Sequence, residues 1–292
     1  MQTLESLSNA LETTGDIQSI VRTMKALSSV SIRQYERAEE AMADYARTVD
    51  LGLMALLRQR REAGHHLPGT DSRTRRKGLI VIGSDRGLCG RYNDTIARFA
   101  KARLDGTDTV LGVIGARVTA RLEAEGHRAE SVHSLPGAVD GISRLVQSVI
   151  LEIDRWTRLH GVGSVSVVHN RREGRVAARP QVQRLLPLPE RYLRHLSETR
   201  WPGRSLPCFR MEPERLMSWL VQQRLFVVIY RAMAEALASE HASRLAAMQA
   251  AERNIEERQD DLRQIYRVRR QETITRELLD VVSGYEAARL AE

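Results

Sequence analysis

The sequence predicts a mixed α+β and α/β fold. Long N- and C-terminal helices pair as an antiparallel coiled coil, and a small Rossmann-like α/β domain lies between them. Three observations carry this reading. From Glu214 to Ser283 there is neither Gly nor Pro, and the run is rich in Ala, Leu, Glu, Gln and Arg, all good helix formers. From residue 3 to about 57 a second Pro-free stretch repeats apolar residues at steps of three and four. From Gly78 onward the period changes to short apolar runs that alternate with amphipathic segments.

In chain order, Leu4, Leu7 and Leu11 open the N-terminal seam. Ile17, Ile20, Met24 and Leu27 continue it, and Tyr35, Ala38, Met42, Tyr45, Val49, Leu53 and Leu56 carry it on. Gly15 and Gly52 are its interior glycines, each costing ~1 kcal/mol against Ala. Residues 58–77 read as a basic linker with Arg58, Arg60, Arg61, Arg73, Arg75, Arg76 and Lys77. His65 and His66 lie there without companion ligands, so the segment predicts a solvated connection and no metal site.

Gly78–Gly83 predicts a buried strand and Asn93–Leu104 a helix. A strand at Thr109–Ile114 and a helix at Ala116–Glu125 follow, then a short strand at Arg128–His133. Gly141–Leu159 is a helix, and Ser164–His169 and Val182–Leu188 are strands. Residues 190–213 look irregular, and Pro213 suits the first turn of the last helix. In that helix Met233, Leu237, His241, Leu245, Met248, Ile255, Leu262 and Ile265 form a near-heptad seam. Unbroken, it would extend on the order of 100 Å at ~1.5 Å per residue, a length that calls for a partner helix. The domains expected are therefore 1–57 (helix), 58–77 (linker), 78–189 (α/β), 190–213 (connection) and 214–292 (helix).

Aromatic residues are only 4% of the chain, which suits Ala/Leu helix packing. The net charge of +8 favours an acidic partner. Cys89 and Cys208 lie far apart without metal-ligand spacing, which points to a reducing compartment. The N-terminal residues do not read as a signal peptide, and no apolar run approaches membrane-spanning length.

The segment Gly83–Gly90 follows the first strand and precedes a helix, where α/β proteins often bind phosphate. It lacks the Gly-Lys-Ser/Thr of a P-loop and a full dinucleotide fingerprint. The competing reading is a tight turn in which glycines adopt special backbone angles and Asp85 caps amides. Cys89 reads as a small packing residue without a dedicated His base. Arg263, Arg267, Arg269, Arg270 and Arg276 crowd the far part of the last helix, with Gln271, Glu272 and Thr275 among them; guanidinium forks suit carboxylates of a protein partner.

Three blocks resemble the gamma subunit of F-type rotary ATP synthases: Ile20–Leu27 around Met24-Lys25, Ser84–Gly90 with Asn93 after it, and a terminal block. The last comprises Ala238–Arg244, Arg270-Gln271 through Thr275, and Glu277–Leu279 with Val281–Gly284. Arg91-Tyr92, Ser28–Ile32 and Glu252–Glu257 depart from the commoner pattern and suggest a divergent member, of the kind found in the alternate lineage that includes sodium-translocating enzymes. The resemblance implies a non-catalytic rotor shaft without a cofactor. Its partners would be the alpha and beta subunits of a surrounding hexamer, the epsilon subunit and the c-subunit ring, and no nucleic acid. It would be peripheral on the cytoplasmic side of a bacterial inner membrane. Carried over by position, Met24, Lys25, Arg270, Gln271 and Thr275 face beta and alpha. Arg244 supports that contact, and Phe209, Met211 and Glu212 form the foot above the c ring. The alternatives are a coiled-coil scaffold or nucleic-acid-binding arm with an α/β head, and a small-molecule enzyme using the Gly83–Gly90 turn.

Overall fold

A computed structural model of the 292-residue chain describes residues 3–62, 76–104, 108–174, 176–204, 207 and 209–290. The elements are α1 (Leu4–Glu62), β1 (Lys77–Ile82), α2 (Tyr92–Leu104), β2 (Thr109–Ile114), α3 (Ala116–Ala124) and β3 (Ser131–His133). They continue with α4 (Asp140–Leu159), β4 (Ser164–Glu173), β5 (Val176–Leu186), α5 (Glu190–Glu198) and α6 (Pro213–Leu290). The two long terminal helices and the central α/β sheet are those the sequence predicts. His65-His66 and Cys208 lie outside the described residues.

The chain divides into two compact units. The first holds Met1–Leu27 and Ala247–Glu292, and therefore the start of α1 and the distal part of α6. The two segments run antiparallel: Lys25 pairs with Glu252, while Gln18 donates to Glu256 at 3.3 Å and accepts from Gln259 at 3.4 Å. Leu7, Val21, Met248 and Leu262 are buried in this unit. The predicted N-terminal seam needs correction here. Ile17, Ile20 and Leu27 are 45%, 59% and 62% exposed, whereas Gln18, Arg22 and Lys25 bond to α6 and Val21, among them in sequence, is buried. In a two-helix pair each helix buries one narrow stripe, and polar or charged side chains complete it when they bond across. Ile265 also turns outward, 40% exposed.

The second unit, Ser28–Ala246, is built on a five-stranded sheet of order β3-β2-β1-β4-β5. The first four strands are parallel and β5 is antiparallel at the edge. Alternation along β1 sends its side chains to opposite faces. Leu79 and Val81 join Ile96, Ala97 and Ala100 of α2 and Val118 and Leu122 of α3. Ile80 and Ile82 join Ile142, Val149 and Trp156 of α4, Val228, Ile229 and Met233 of α6, and Tyr35 of α1. Gly112 of β2 makes room for Trp156, since a Cβ there would lie 2.7 Å from the indole. A further cluster joins Val49, Leu53 and Leu57 of α1 with Leu193 and Leu196 of α5 and Met217 and Leu220 of α6.

Three boundaries differ from the sequence reading. Helix α1 continues past 57 to Glu62, with Leu56 and Leu57 buried at 0% and 1%. β5 starts at Val176 instead of Val182 and ends at Leu186; its Pro180 is tolerated because an edge strand has one side without a ladder. Residues 190–198, predicted irregular, form α5, whose Leu193 and Leu196 supply a short apolar face to the third cluster.

Candidate functional site: the helical pair and the glycine turn

In the first unit the paired helices are joined by charge as well as burial. Arg22 Nε lies 3.0 Å from Glu252 and its Nη2 3.6 Å from Glu256, and Lys25 also reaches Glu252. The hydrogen bonds from Lys25 and Arg22 hold the Glu252 carboxyl below the usual carboxylate range. Lys25 is thus engaged within the chain, and Met24 beside it is half-buried. Arg270, Gln271 and Thr275 are exposed. Gln271 and Thr275, four residues apart, share one helix face. With Val268, Glu272, Arg276 and Leu279 they line an open groove of about 470 Å³. Ile274, Leu278 and Val281 add apolar side chains that are 51%, 62% and 72% exposed.

In the second unit the three residues that the resemblance assigns to a foot differ in their surroundings. Phe209 is half-buried against the α1–α5–α6 cluster, and Met211 is 45% exposed. The Glu212 carboxylate accepts the backbone N–H groups of Glu214 at 3.4 Å and Arg215 at 3.2 Å. It therefore caps α6, and Pro213 occupies the first helical position.

The Gly83–Gly90 turn is held by its own residues. Asn93 Oδ1 accepts from the Ser84 amide at 3.1 Å, and Asn93 Nδ2 donates to Ser84 Oγ at 2.8 Å. Asp85 uses both carboxylate oxygens on backbone amides, Ala116 at 2.8 Å and Leu135 at 2.7 Å. It thereby ties the β1 turn to the start of α3 and to the loop after β3. Gly90 takes a positive φ of 58°, a conformation open to glycine. Cys89 is buried at 3% exposure, and burial pushes its thiol up, away from the thiolate a nucleophile needs.

The turn is fastened to α6. Arg244 Nη2 donates to the Gly87 carbonyl at 3.2 Å and to Glu240 at 2.5 Å. Burial holds the Glu240 carboxyl above its usual value despite the Arg244 charge. Tyr92 donates its hydroxyl to the Ala236 carbonyl at 2.9 Å. Deeper along α6, His169 Nε2 of β4 lies 2.7 Å from Glu235. Burial alone would raise the Glu235 carboxyl, but the His169 hydrogen bond and the charges of Arg171 and Arg231 hold it low. Arg231 in turn reaches Glu39 of α1 at 2.8 Å. Sequence reasoning placed Arg244 in a contact block but missed its partners Glu240 and Gly87, and it missed the His169–Glu235 pair. A buried acid four residues before an Arg on a seamed helix was the available signal for the first; nothing local announced the second.

A central, mostly parallel sheet between two long terminal helices in the sequence defines the class, an α/β domain flanked by paired helical segments. The family model described as ATP synthase matches residues 3–288, and the chain belongs to that family. The ATP synthase gamma chain of Bdellovibrio bacteriovorus is 28% identical, aligning 98% of this chain with 99% of its own. That of Haemophilus influenzae is also 28% identical, over 93% and 95%. Among solved structures, a chain of the Euglena gracilis mitochondrial ATP synthase superposes with a TM-score of 0.68 at 16% identity, covering 97% of this chain and 94% of that one. A chain of the Tetrahymena thermophila central stalk and c ring gives 0.57 at 19% identity, over 80% and 99%. These structures share the fold.

Proposed function

We propose that this chain is the central rotor shaft, the gamma subunit, of an F-type ATP synthase. The observation that carries the reading is the family match from residue 3 to 288, which takes in both long helices and the sheet between them. In this reading the chain performs no chemistry. It is surrounded by alpha and beta subunits, meets epsilon and the c ring at its foot, and works peripherally on the cytoplasmic face of a bacterial inner membrane. A turning shaft couples to catalysis if its contacts differ in energy between beta conformations, so that each rotor angle shifts their populations. Arg270, Gln271 and Thr275 are the proposed beta contacts on α6, and Met24 and Lys25 those on α1. Arg244 supports them by fixing the turn, and Phe209, Met211 and Glu212 form the foot. The internal use of Asp85, Ser84 and Asn93 supports a structural turn over a nucleotide site.

Reconstitution tests this. The purified chain is mixed with alpha and beta subunits from the same source, the complex is isolated by size, and ATP hydrolysis is assayed with and without the chain. One chain per hexamer with stimulated multisite turnover is expected. Absence of a complex with well-folded partners would overturn the reading in favour of a coiled-coil scaffold or a nucleic-acid-binding arm.

A further inference from the structure

The helical pair of the first unit holds polar side chains where a coiled coil ordinarily buries apolar ones. Along α1, Leu7, Leu11, Thr14, Gln18, Val21 and Lys25 are buried or half-buried. Along α6 the same is true of Met248, Glu252, Ile255, Gln259, Leu262 and Tyr266. Both sets step by four and three, the spacing of a coiled-coil seam. Within them the Glu252 side chain is 15% exposed and Gln259 6% exposed.

These polar residues meet one another. Gln259 Nε2 donates to the Gln18 carbonyl oxygen at 3.4 Å, and Lys25 pairs with Glu252. Gln18 and Lys25 stand one heptad apart on α1, and Glu252 and Gln259 one heptad apart on α6. Both pairs therefore belong to a single antiparallel register. Arg22 adds a brace, 3.0 Å from Glu252 and 3.6 Å from Glu256.

We propose that the Gln18–Gln259 and Lys25–Glu252 pairs are a key that selects which face of α1 meets α6. A competing stripe lies one residue over. Ile17, Ile20, Met24 and Leu27 repeat at steps of three and four, roughly a third of a turn away at ~100° per residue. That stripe is the more apolar of the two, and burial alone favours it over Thr14, Gln18, Val21 and Lys25. Yet Ile17, Ile20 and Leu27 are the exposed side chains. Turning α1 to bury them would set Glu252 and Gln259 against isoleucine and leucine and take their partners away. A carboxylate stripped of its cation and an amide stripped of its hydrogen bond are the costly outcomes of such a turn. Polar seam residues thus trade stability for the choice of one pairing. The key is a property of the chain alone and does not depend on the rotor reading, which assembly with alpha and beta decides.

The test uses the full chain by itself and hydroxyl-radical footprinting. Oxidation of each side chain is read by mass spectrometry and corrected for its intrinsic reactivity. At 59% against 7% exposure, Ile20 should oxidise roughly eightfold faster than Val21 in the unaltered chain. The fourfold variant Gln18→Ala, Lys25→Ala, Glu252→Ala and Gln259→Ala removes the key with good helix formers. In it Val21 should oxidise faster than Ile20, and Leu27 should become at least about threefold more protected. The milder variant Lys25→Ala with Glu252→Ala should lower the Ile20 to Val21 ratio at least about twofold, and it guards against unfolding of the fourfold variant. A control changes four exposed residues of the same helices, Ser19→Ala, Thr23→Ala, Arg253→Ala and Arg258→Ala, and should stay within about twofold of the unaltered ratio. Helicity is followed for each protein. An unchanged ratio in both key variants would overturn the proposal. So would uniform exposure of Leu7, Ile20, Val21 and Leu27 in both, since the pairs would then hold the helices together without choosing a face.

Discussion

Arg244 and Gly87 are joined by a 3.2 Å hydrogen bond from a guanidinium on α6 to a main-chain carbonyl in the glycine turn. The same nitrogen holds Glu240 one helical turn back, and the two side chains are 8% and 7% exposed. Removing the cation leaves a buried carboxyl and an unpaired carbonyl, which is the expensive way to break such a pair. Arg244→Ala is therefore expected to destabilise the second unit by about 3 kcal/mol, read from the urea midpoint. Adding Glu240→Gln to that variant should recover roughly 1 kcal/mol, because no buried charge then remains. A loss under about 1 kcal/mol for Arg244→Ala would show that the turn is not held by this residue.

His241, the next residue along, stacks on Tyr35 of α1 with ring centroids 5.7 Å apart. Burial, with help from the charges of Arg244 and Arg86, lowers its pKa to about 4 from an ordinary 6.5. The unfolded chain therefore takes up a proton below pH 6.5 while the folded chain resists it. Stability from this residue is full above pH 6.5 and falls as the pH drops toward about 4. Glu240 acts in the opposite sense, since its raised carboxyl lets the folded chain take the proton first. Comparing His241→Gln with the unaltered chain removes that contribution from the difference. The variant should show a flatter loss of denaturation midpoint between pH 6.5 and 4; parallel curves would remove His241 as the source.

The N-terminal helix tests which stripe faces α6. Ile20 is 59% exposed and Val21 is 7% exposed, although they are adjacent in sequence. Ile20→Ser should change the stability of the isolated chain by less than about 0.5 kcal/mol, and Val21→Ser should cost about 2 kcal/mol. The reverse order in thermal melts would restore the stripe read from periodicity. If alpha or beta covers Ile17, Ile20 and Leu27, which are exposed in the chain alone, the ranking should change in the complex.

That stripe shows what the sequence could and could not reveal. Periods of three and four in Pro-free runs were enough to place both long helices, and the change of period at Gly78 was enough for the sheet. Periodicity alone favours Ile17, Ile20 and Leu27 because they are apolar. It gives no weight to Gln18 and Lys25, whose place in the seam depends on Gln259 and Glu252 more than 200 residues away. Helix α5 was hidden for a related reason: it is short, lies among prolines, and is held by Leu53 and Leu57 of a distant helix. The glycine turn was legible as a turn, but not that Asp85 would serve the amides of Ala116 and Leu135. The proposed contacts at Arg270, Gln271 and Thr275 came from resemblance alone, because an exposed helix face looks the same whether or not a partner covers it.

Those residues give the last prediction. Arg270 and Gln271 are exposed on α6, and Gln271 shares its groove with Thr275 and Leu279. Truncating exposed side chains should leave the fold within about 0.5 kcal/mol of the unaltered chain. If they meet beta, losing a guanidinium and an amide should remove interactions made only in some rotor positions, and thereby lower coupling. Arg270→Ala with Gln271→Ala is thus expected to keep its melting temperature, still assemble with alpha and beta, and reduce ATP-driven ion pumping several-fold. Pairing it with Arg253→Ala, another exposed α6 arginine of the same unit, controls for loss of charge. Equal pumping in all three complexes would place the coupling contacts elsewhere on the shaft, and the exposed apolar side chains of Ile274 and Leu278 would be the next to change.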